Sequence, residues 1–214
     1  MRRFIDCPVF IVVEGLPGCN TTELVRALAP AFGDASARLP TRHSVEYDSD
    51  ASPMSRHLDD AAFIAKTSDA IRSILDDGQA VVLDRYWPSF TAYHRANGSP
   101  LWLSEVASHI VPAHITIYLV ASLEMRQQRI EQSPGGGSEA DRRTLDPNFA
   151  EELHAGLTAQ MSHDFAGEVV LVEALKPPGV LATAFVERFA AGMRSWWKHC
   201  VRCGHRQDKC QCPQ

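Results

Sequence analysis

The segment with the clearest chemical potential is an apolar run that leads into glycines and then two threonines. Residues 9–22 read VFIVVEGLPGCNTT, which predicts a buried strand, a glycine-rich turn and the start of a helix. The turn is similar to the phosphate-binding pattern G-x-x-x-x-G-K-[ST]. If Gly15 is the first glycine of that pattern, Asn20 stands in place of the second. Thr21 then occupies the lysine position, and Thr22 that of the hydroxyl that binds magnesium.

Phosphate could bind this turn even without the lysine. Free backbone amides at a helix N-terminus attract anions, and Gly15 and Gly18 can take backbone angles closed to other residues. The alternative is an ordinary strand–turn–helix whose glycines serve only the turn. If phosphate binds, the nucleotide-binding residues would be Gly15, Leu16, Pro17, Gly18, Cys19, Asn20, Thr21 and Thr22.

A second polar group follows another predicted strand. Residues 81–94 read VVLDRYWPSFTAYH, so Asp84 and Arg85 come at the carboxyl end of an apolar run. An aspartate that faces a phosphate loop can hold magnesium, and an adjacent arginine can neutralise a transferring phosphoryl group. The alternative is a salt-bridged strand terminus without a catalytic role. Ser89 and Tyr93 follow at helical spacing.

Composition narrows the class of protein. A chain of 214 residues suits one domain, or one domain with a small appendage. The net charge of −5 gives no sign of the basic face typical of nucleic-acid binding. No apolar stretch reaches the ~20 residues that a membrane-spanning helix needs. The first residues lack the apolar core of a signal peptide, so we expect a cytoplasmic protein, with organelle targeting left open.

Predicted strands and helices alternate along the chain. Strands are predicted at 8–14, 38–41, 79–84, 114–120 and 167–173, and helices at 21–32, 58–77, 89–97, 101–110, 122–132, 148–162 and 178–198. This alternation predicts an α/β fold with a five-stranded parallel sheet and helices on both faces. Residues 43–57 and 133–147 lack periodicity and are predicted to be loops, either plain surface loops or lids.

Several segments match one enzyme family in order and spacing. The chain has EGLPG at 14–18, TRH at 41–43 and DRYWPSFTAYH at 84–94, followed by ITIYLVASLEMRQQRI at 115–130. They resemble the thymidylate kinase family, which carries an EGxDGxGKTT loop, a TREP segment and DRYxxSxxAYQ. The wording DRYW is closest to the thymidylate-kinase-like UMP/CMP kinases.

The resemblance implies a P-loop NTPase-type kinase domain over residues 1–198, with a lid at about 133–147. Such an enzyme transfers the ATP γ-phosphoryl group to a pyrimidine (deoxy)nucleoside monophosphate such as dTMP, with Mg²⁺. The resemblance implies Mg²⁺ ligands at Thr22 and Asp84, and catalytic roles for Asp84, Arg85, Arg142 and Arg143. Arg129 would lie on the nucleotide side, and Arg42, Phe63, Lys66, Ser89, Tyr93 and His94 would contact the acceptor.

Four departures from the family pattern bear on activity. The loop aspartate is replaced by Pro17, the loop lysine by Thr21, and the glutamine of the DRYxxS helix by His94. The family's aromatic-plus-arginine base reader has no clean match, and Phe63 and Lys66 are the nearest candidates. Loss of one group that stabilises transition-state charge typically costs roughly 100- to 1000-fold in rate. Lid arginines could compensate on closure. The alternative is a degenerate homologue that binds nucleotide without turnover and acts as an interaction module.

The last residues, 199–214, form a cysteine-rich tail. Its cysteines are spaced C-x₂-C and C-x-C, and in a chain without an export signal they favour a metal over disulfides. Four thiolates, or three with a histidine, could form a closed structural zinc site. Such a site could staple the tail to the helix that ends at Trp196 and Trp197, or it could instead dock a protein partner. The alternative is a disordered tail, and the sequence leaves monomer or homodimer open. The candidate ligands are Cys200, Cys203, Cys210 and Cys212, with His205 as the alternative.

Overall fold

The computed structural model of the chain describes residues 8–39, 52–99 and 104–196. These residues contain the strands β1 (Phe10–Gly15), β2 (Val81–Asp84), β3 (Ile115–Val120) and β4 (Glu168–Glu173). The four strands pair in parallel in the order β2-β1-β3-β4. The α/β class and the parallel sheet predicted from the alternating pattern are therefore confirmed.

Helices connect these strands. The α-helices are α1 (Thr21–Phe32), α2 (Pro53–Asp76), α3 (Trp87–Ala96), α4 (Ser104–Ala107), α5 (Leu123–Gln132), α6 (Glu139–Arg143), α7 (Pro147–Met161) and α8 (Pro178–Trp196). Short 3₁₀ helices cover Ser36–Arg38, Pro134–Gly136 and Asp164–Ala166. The boundaries of most helices lie within a few residues of the prediction, although α2 begins earlier and α4 ends earlier.

The core lies on both faces of the sheet. Ile11 and Val13 of β1 pack in one apolar cluster with residues of α1 and α8. Phe10 and Val12, which alternate with them along the strand, pack in a second cluster with residues of α2. A strand that is buried on both faces must be apolar throughout, which explains the unbroken run at the start of the chain.

The prediction of five strands is wrong within the described residues. Where a strand was predicted at 38–41, residues Ser36–Arg38 form a 3₁₀ helix. The Asp34 carboxylate accepts hydrogen bonds from the Ser36 amide at 3.0 Å and from the Val82 amide at 2.8 Å. The bond to Ser36 is local and turns the chain after a single bridge to Ala80, and the bond to Val82 occupies a β2 amide.

The two segments predicted to be loops are partly helical. Residues 43–51 lie outside the described part, but α2 already begins at Pro53, where the Ser52 hydroxyl caps it by accepting from the Ser55 amide. Within 133–147, a 3₁₀ turn precedes α6, which Ser138 and Asp141 start with a reciprocal capping box. The capping residues are visible in the sequence. Helical periodicity, however, cannot reveal a helix as short as the five residues of α6 or the first turn of α2.

Some predicted features fall outside the described residues. These are Arg42 of the acceptor site and the tail ligands Cys200, Cys203, His205, Cys210 and Cys212. In the part of the chain that the structure describes, no helix is both long and apolar enough to cross a membrane.

The sheet brings the two polar segments side by side. In the parallel register Val13 lies opposite Asp84, and Gly15 lies opposite Leu119. The chain therefore leaves β1 and β2 at the same edge of the sheet, where parallel α/β folds bind ligands.

Candidate functional site: a glycine-rich loop beside an aromatic pocket

The loop after β1 has the geometry of an anion-binding turn. Gly18 takes a φ of 85° and Asn20 a φ of 65°, and α1 begins at the next residue. Within the described residues the Asn20 side chain does not cap α1, so the first amides of the helix remain open to a ligand. Asparagine is among the few non-glycine residues that tolerate a left-handed backbone, which explains how it can replace a glycine here.

Thr22 and Asp84 meet across the gap between the two loops. The Thr22 hydroxyl donates to Oδ2 of Asp84. The other carboxylate oxygen, Oδ1, is buried and has no hydrogen-bond partner among the described residues. A buried, unpaired carboxylate oxygen beside a hydroxyl fits a hard cation such as Mg²⁺, which prefers oxygen ligands. The two residues predicted to bind magnesium are therefore brought together.

The protein offers only a small ligand set at this point. No cluster of three or more His, Cys, Asp or Glu side chains suited to a metal occurs in the described ranges. Mg²⁺ usually keeps several waters and is bound through one or two carboxylates together with substrate phosphates. A site with one carboxylate and one hydroxyl is consistent with that mode and not with an all-protein cage.

Arg85 lines the space between α2 and α3. Its backbone has a φ of 65°, although its amide still donates to the Val13 carbonyl at 2.9 Å. Its Nη1 donates to the Tyr93 hydroxyl at 3.5 Å, and its Cζ lies 5.8 Å from the centre of the Tyr93 ring. A left-handed arginine costs on the order of 1–3 kcal/mol, so the surrounding structure must stabilise this orientation.

A cavity of about 240 Å³ lies between α2 and α3. It gathers four of the side chains predicted to contact the acceptor, together with the predicted catalytic Arg85. Lys66, which was also predicted to contact the acceptor, is exposed and does not line it. The lining residues are Asp60, Phe63, Ile64, Arg85, Tyr86, Ser89, Phe90, Tyr93 and His94.

One end of this cavity is aromatic and acidic. The Nε2 atom of His94 lies 2.8 Å from Oδ2 of Asp60, and its ring stacks on His57 with 4.3 Å between centroids. Burial, and secondarily the nearby His94, lowers the pKa of His57 to about 4, so His57 is neutral at pH 7. Sequence reasoning missed Asp60, which lies three residues before Phe63 and therefore shares its helix face.

Glu14, at the end of β1, is the main residue of the loop region that sequence reasoning left without a role. It is fully buried and accepts hydrogen bonds from the amides of Tyr86 at 2.9 Å and Ser89 at 3.4 Å, and from the Ser89 hydroxyl. Burial raises its pKa to about 7, although these bonds and the Arg85 charge act in the opposite direction. The sequence indicated such a role for Glu14, because a single acidic residue in an apolar strand is buried and a buried carboxylate needs hydrogen-bond partners.

Two arginines of α5 bind the carbonyls of the loop. Arg126 donates from Nε to the Pro17 carbonyl at 2.9 Å, and Arg129 donates from Nη1 to the Gly18 carbonyl at 3.1 Å. Arg129 was predicted on the nucleotide side, whereas Arg126 was not predicted. Its signal was helical spacing, because it lies four residues before the buried Ile130 and hence on the same face.

The predicted lid arginines are exposed and contact other groups. Arg142 donates from Nη1 to the Gly137 carbonyl at 2.7 Å. Arg143 donates to Oδ1 of Asn97 at 2.6 Å, and its Cζ lies 4.1 Å from the centre of the Phe149 ring. Both contacts lie outside the loop after β1, so a catalytic role would require the two side chains to exchange these partners.

The chain matches no protein-family model, and a search of curated proteins finds no match either.

Proposed function

We propose that this protein is a nucleoside monophosphate kinase of the thymidylate kinase type. It would transfer the γ-phosphoryl group of ATP to a pyrimidine nucleoside monophosphate. The observation that carries the proposal is that two consecutive residues at the end of β2 contact different regions. Asp84 contacts Thr22 at the start of α1, and Arg85 lines the pocket between α2 and α3.

The donor nucleotide would bind at the loop after β1. The open amides at the start of α1 would bind its phosphates, and the oxygens of Thr22 and Asp84 would hold Mg²⁺. When bound, Mg²⁺ would neutralise charge on the β- and γ-phosphates. Arg129 would act indirectly, because its guanidinium binds the Gly18 carbonyl and so holds the loop in shape.

The acceptor nucleotide would bind in the pocket. Arg85 would pair with its phosphate, and Phe63 and Tyr93 would contact its base. The preference for a pyrimidine base follows from the resemblance of the sequence to the thymidylate kinase family. An oxygen of the acceptor phosphate would attack the γ-phosphorus. A new P–O bond would form as the bond to the β-phosphate oxygen breaks and ADP leaves.

One observation favours a second candidate, a nucleotide-binding protein with no turnover. Thr21 stands where the phosphate-loop pattern has a lysine, and Arg142 and Arg143 engage other groups. Catalysis of phosphoryl transfer depends almost wholly on positioning and charge stabilisation. In this alternative the cysteine-rich tail, with a structural zinc ion, would dock a protein partner.

Single-turnover phosphoryl transfer separates the two candidates. The full chain, in excess over γ-labelled ATP with Mg²⁺, is mixed with CMP, UMP, dCMP, dUMP or dTMP, and labelled diphosphate is followed by chromatography. We expect transfer to at least one pyrimidine monophosphate and none with Asp84→Asn. ATP binding without transfer to any acceptor would support the non-catalytic alternative, and no ATP binding would refute both.

The missing lysine makes a further prediction for the same assay. Thr21→Lys should raise the single-turnover rate by about 10-fold or more, because an ammonium group can follow charge that grows in the transition state. Thr21→Met has similar length and no charge and should not. If both variants lower the rate equally, another group already fills the role of the lysine.

A further inference from the structure

The feature that the proposed roles leave unused is a buried arginine beneath the phosphate loop. Arg126 of α5 is only 3% exposed. Besides the Pro17 carbonyl, its guanidinium binds Thr144, with Nη2 2.6 Å from the carbonyl oxygen and 2.9 Å from Oγ1. Thr144 follows directly after α6 and is itself fully buried. One side chain therefore joins the phosphate loop to the helix that carries the predicted lid arginines.

Among the residues that the structure describes, the groups to which Arg126 donates do not neutralise its charge. The acceptors of its Nε and Nη2 atoms there are two carbonyls and a hydroxyl, all neutral. Burial lowers the pKa of Arg126, and the groups that oppose this shift are Cys19, Tyr93 and Tyr118. Burial raises the pKa of each of those three groups, so they are neutral at pH 7. A buried cation with neutral partners is costly unless an anion binds nearby.

The contact between α5 and the loop is too close to be incidental. A Cβ atom on Gly18 would lie 2.7 Å from the Arg126 carbonyl oxygen and 2.8 Å from its Cα. The backbone of α5 therefore lies directly against the loop, and the Arg126 guanidinium binds the residue before Gly18. The only cationic position of the phosphate-loop pattern, meanwhile, holds the neutral Thr21.

We propose that Arg126 is a positioning residue of the phosphate site that supplies, from α5, the positive charge missing from the loop. It orients the Pro17–Gly18 turn so that the loop amides face the phosphates, and it places a permanent charge behind them. Through Thr144 it also couples the loop to α6. This inference rests on the proposed donor site and extends it to a residue outside the loop.

The test measures phosphate binding, so that it does not depend on turnover. Binding of MgATP and of inorganic tripolyphosphate to the full chain is followed by titration calorimetry. Arg126→Met should weaken both by roughly 10- to 100-fold, the range expected when a charged hydrogen-bonding group is removed. Arg126→Lys keeps the charge and should lose much less. Arg72→Met, at an exposed arginine of α2, is the matched control and should bind as wild type does.

A double variant separates a charge from a merely structural role. If Arg126 supplies the missing charge, Thr21→Lys should restore most of the affinity lost in Arg126→Met, while changing the affinity of the wild-type chain little. This non-additivity is the signature of two groups serving one site. Arg126→Gln, neutral but able to donate hydrogen bonds, replaces Arg126→Met if the latter does not fold.

Three results would overturn the inference. One is a lower melting temperature with unchanged affinity in the folded protein, which would leave Arg126 a purely structural role. Another is failure of the Thr21→Lys substitution to restore binding to the Arg126→Met chain. The third is that the wild-type chain binds neither MgATP nor tripolyphosphate, which would refute the proposed donor site itself. A wild-type chain that binds both ligands but shows no turnover would refute only the kinase reaction.

Discussion

At the residue scale, Asp84 and Arg85 show how two consecutive residues at one strand end can contact different parts of the molecule. A residue in ordinary extended conformation would continue the strand direction, but the left-handed backbone of Arg85 redirects its side chain toward α3. The strain at this position is of the kind that accumulates at functional sites. The adjacent residues thus face separate halves of the site.

This separation predicts that substitutions of the two neighbouring residues weaken the binding of different ligands. Arg85→Ala should weaken binding of a pyrimidine monophosphate by roughly 10- to 100-fold, because a charged partner of its phosphate is lost. Asp84→Asn should instead weaken MgATP and leave monophosphate affinity nearly unchanged. Both are measured by titration calorimetry, with melting temperatures as the control. Equal losses for both ligands in both variants would contradict the division into two halves.

Glu14 predicts a dependence of stability on pH. Its pKa is raised from 4.5 to about 7, so between these values the folded protein binds more protons than the unfolded chain. The free energy of unfolding should therefore fall as pH rises through this window, by an amount on the order of 3 kcal/mol. Glu14→Gln stays neutral and should remove this component. The measurement is urea unfolding at pH 5 and pH 8.

A control variant is needed to assign the pH dependence of the free energy of unfolding to Glu14. Glu152→Gln, at an exposed position of α7, should keep the pH dependence of wild type. If Glu14→Gln and Glu152→Gln behave alike, Glu14 is ionised in the folded protein and its hydrogen bonds outweigh its burial.

At the element scale, the loop, α5 and α6 form one connected unit. Arg126 and Arg129 bind loop carbonyls 109 and 111 residues away in the chain. The second nitrogen of Arg129 also donates to the Ala174 carbonyl at 2.6 Å, just after β4. The loop after β1 is therefore held by two side chains of α5, and its shape does not depend on its own residues alone.

Two glycines test how tightly α5 packs against the loop. Gly18 and Gly98 both have positive φ angles, 85° and 76°, but a Cβ atom would clash with α5 only at Gly18. Gly98→Ala should cost about 1–2 kcal/mol from backbone strain alone. Gly18→Ala should cost a further ~1–3 kcal/mol through overpacking. Urea unfolding measures the loss of unfolding free energy in both variants. Equal losses would mean that the loop can shift away from α5 at no measurable cost.

At the scale of the whole molecule, the sheet order places the site. β1 lies between β2 and β3, so the loop after β1 has Asp84 on one side and α5, which follows β3, on the other. The aromatic pocket lies between α2 and α3, beyond the β2 edge. A central strand is thus the position from which one loop can contact groups from both neighbouring strands.

The tail makes a prediction for the intact chain. The purified protein should contain close to one zinc ion per chain, because four clustered thiols in a C-x₂-C and C-x-C arrangement favour tetrahedral zinc. Elemental analysis measures the metal, and Cys200→Ser with Cys203→Ser should abolish it. Free titration of all tail thiols in a metal-free wild-type chain would refute the site.

Sequence reasoning located the elements because their signals are local. The apolar run of β1, the helical spacing of α1 and the polar cluster after β2 depend on neighbours within a few residues. The place of Thr22 and Asp84 at one sheet edge followed from the rule for parallel strands. The strand predicted at 38–41 failed because Asp34 bonds to the Ser36 amide and across to Val82, and that contact is tertiary.

The sequence by itself thus determined the parallel α/β architecture and which loops could meet a phosphate. Only the tertiary structure decided which charges lie behind those loops. Arg126 and Glu14 acquire their partners through contacts across 109 and 72 residues of chain. Helical or strand periodicity can place such a residue on a buried face, but it cannot say what lies opposite. That partner is set by the packing of distant elements, and the energy of a buried charge depends on it.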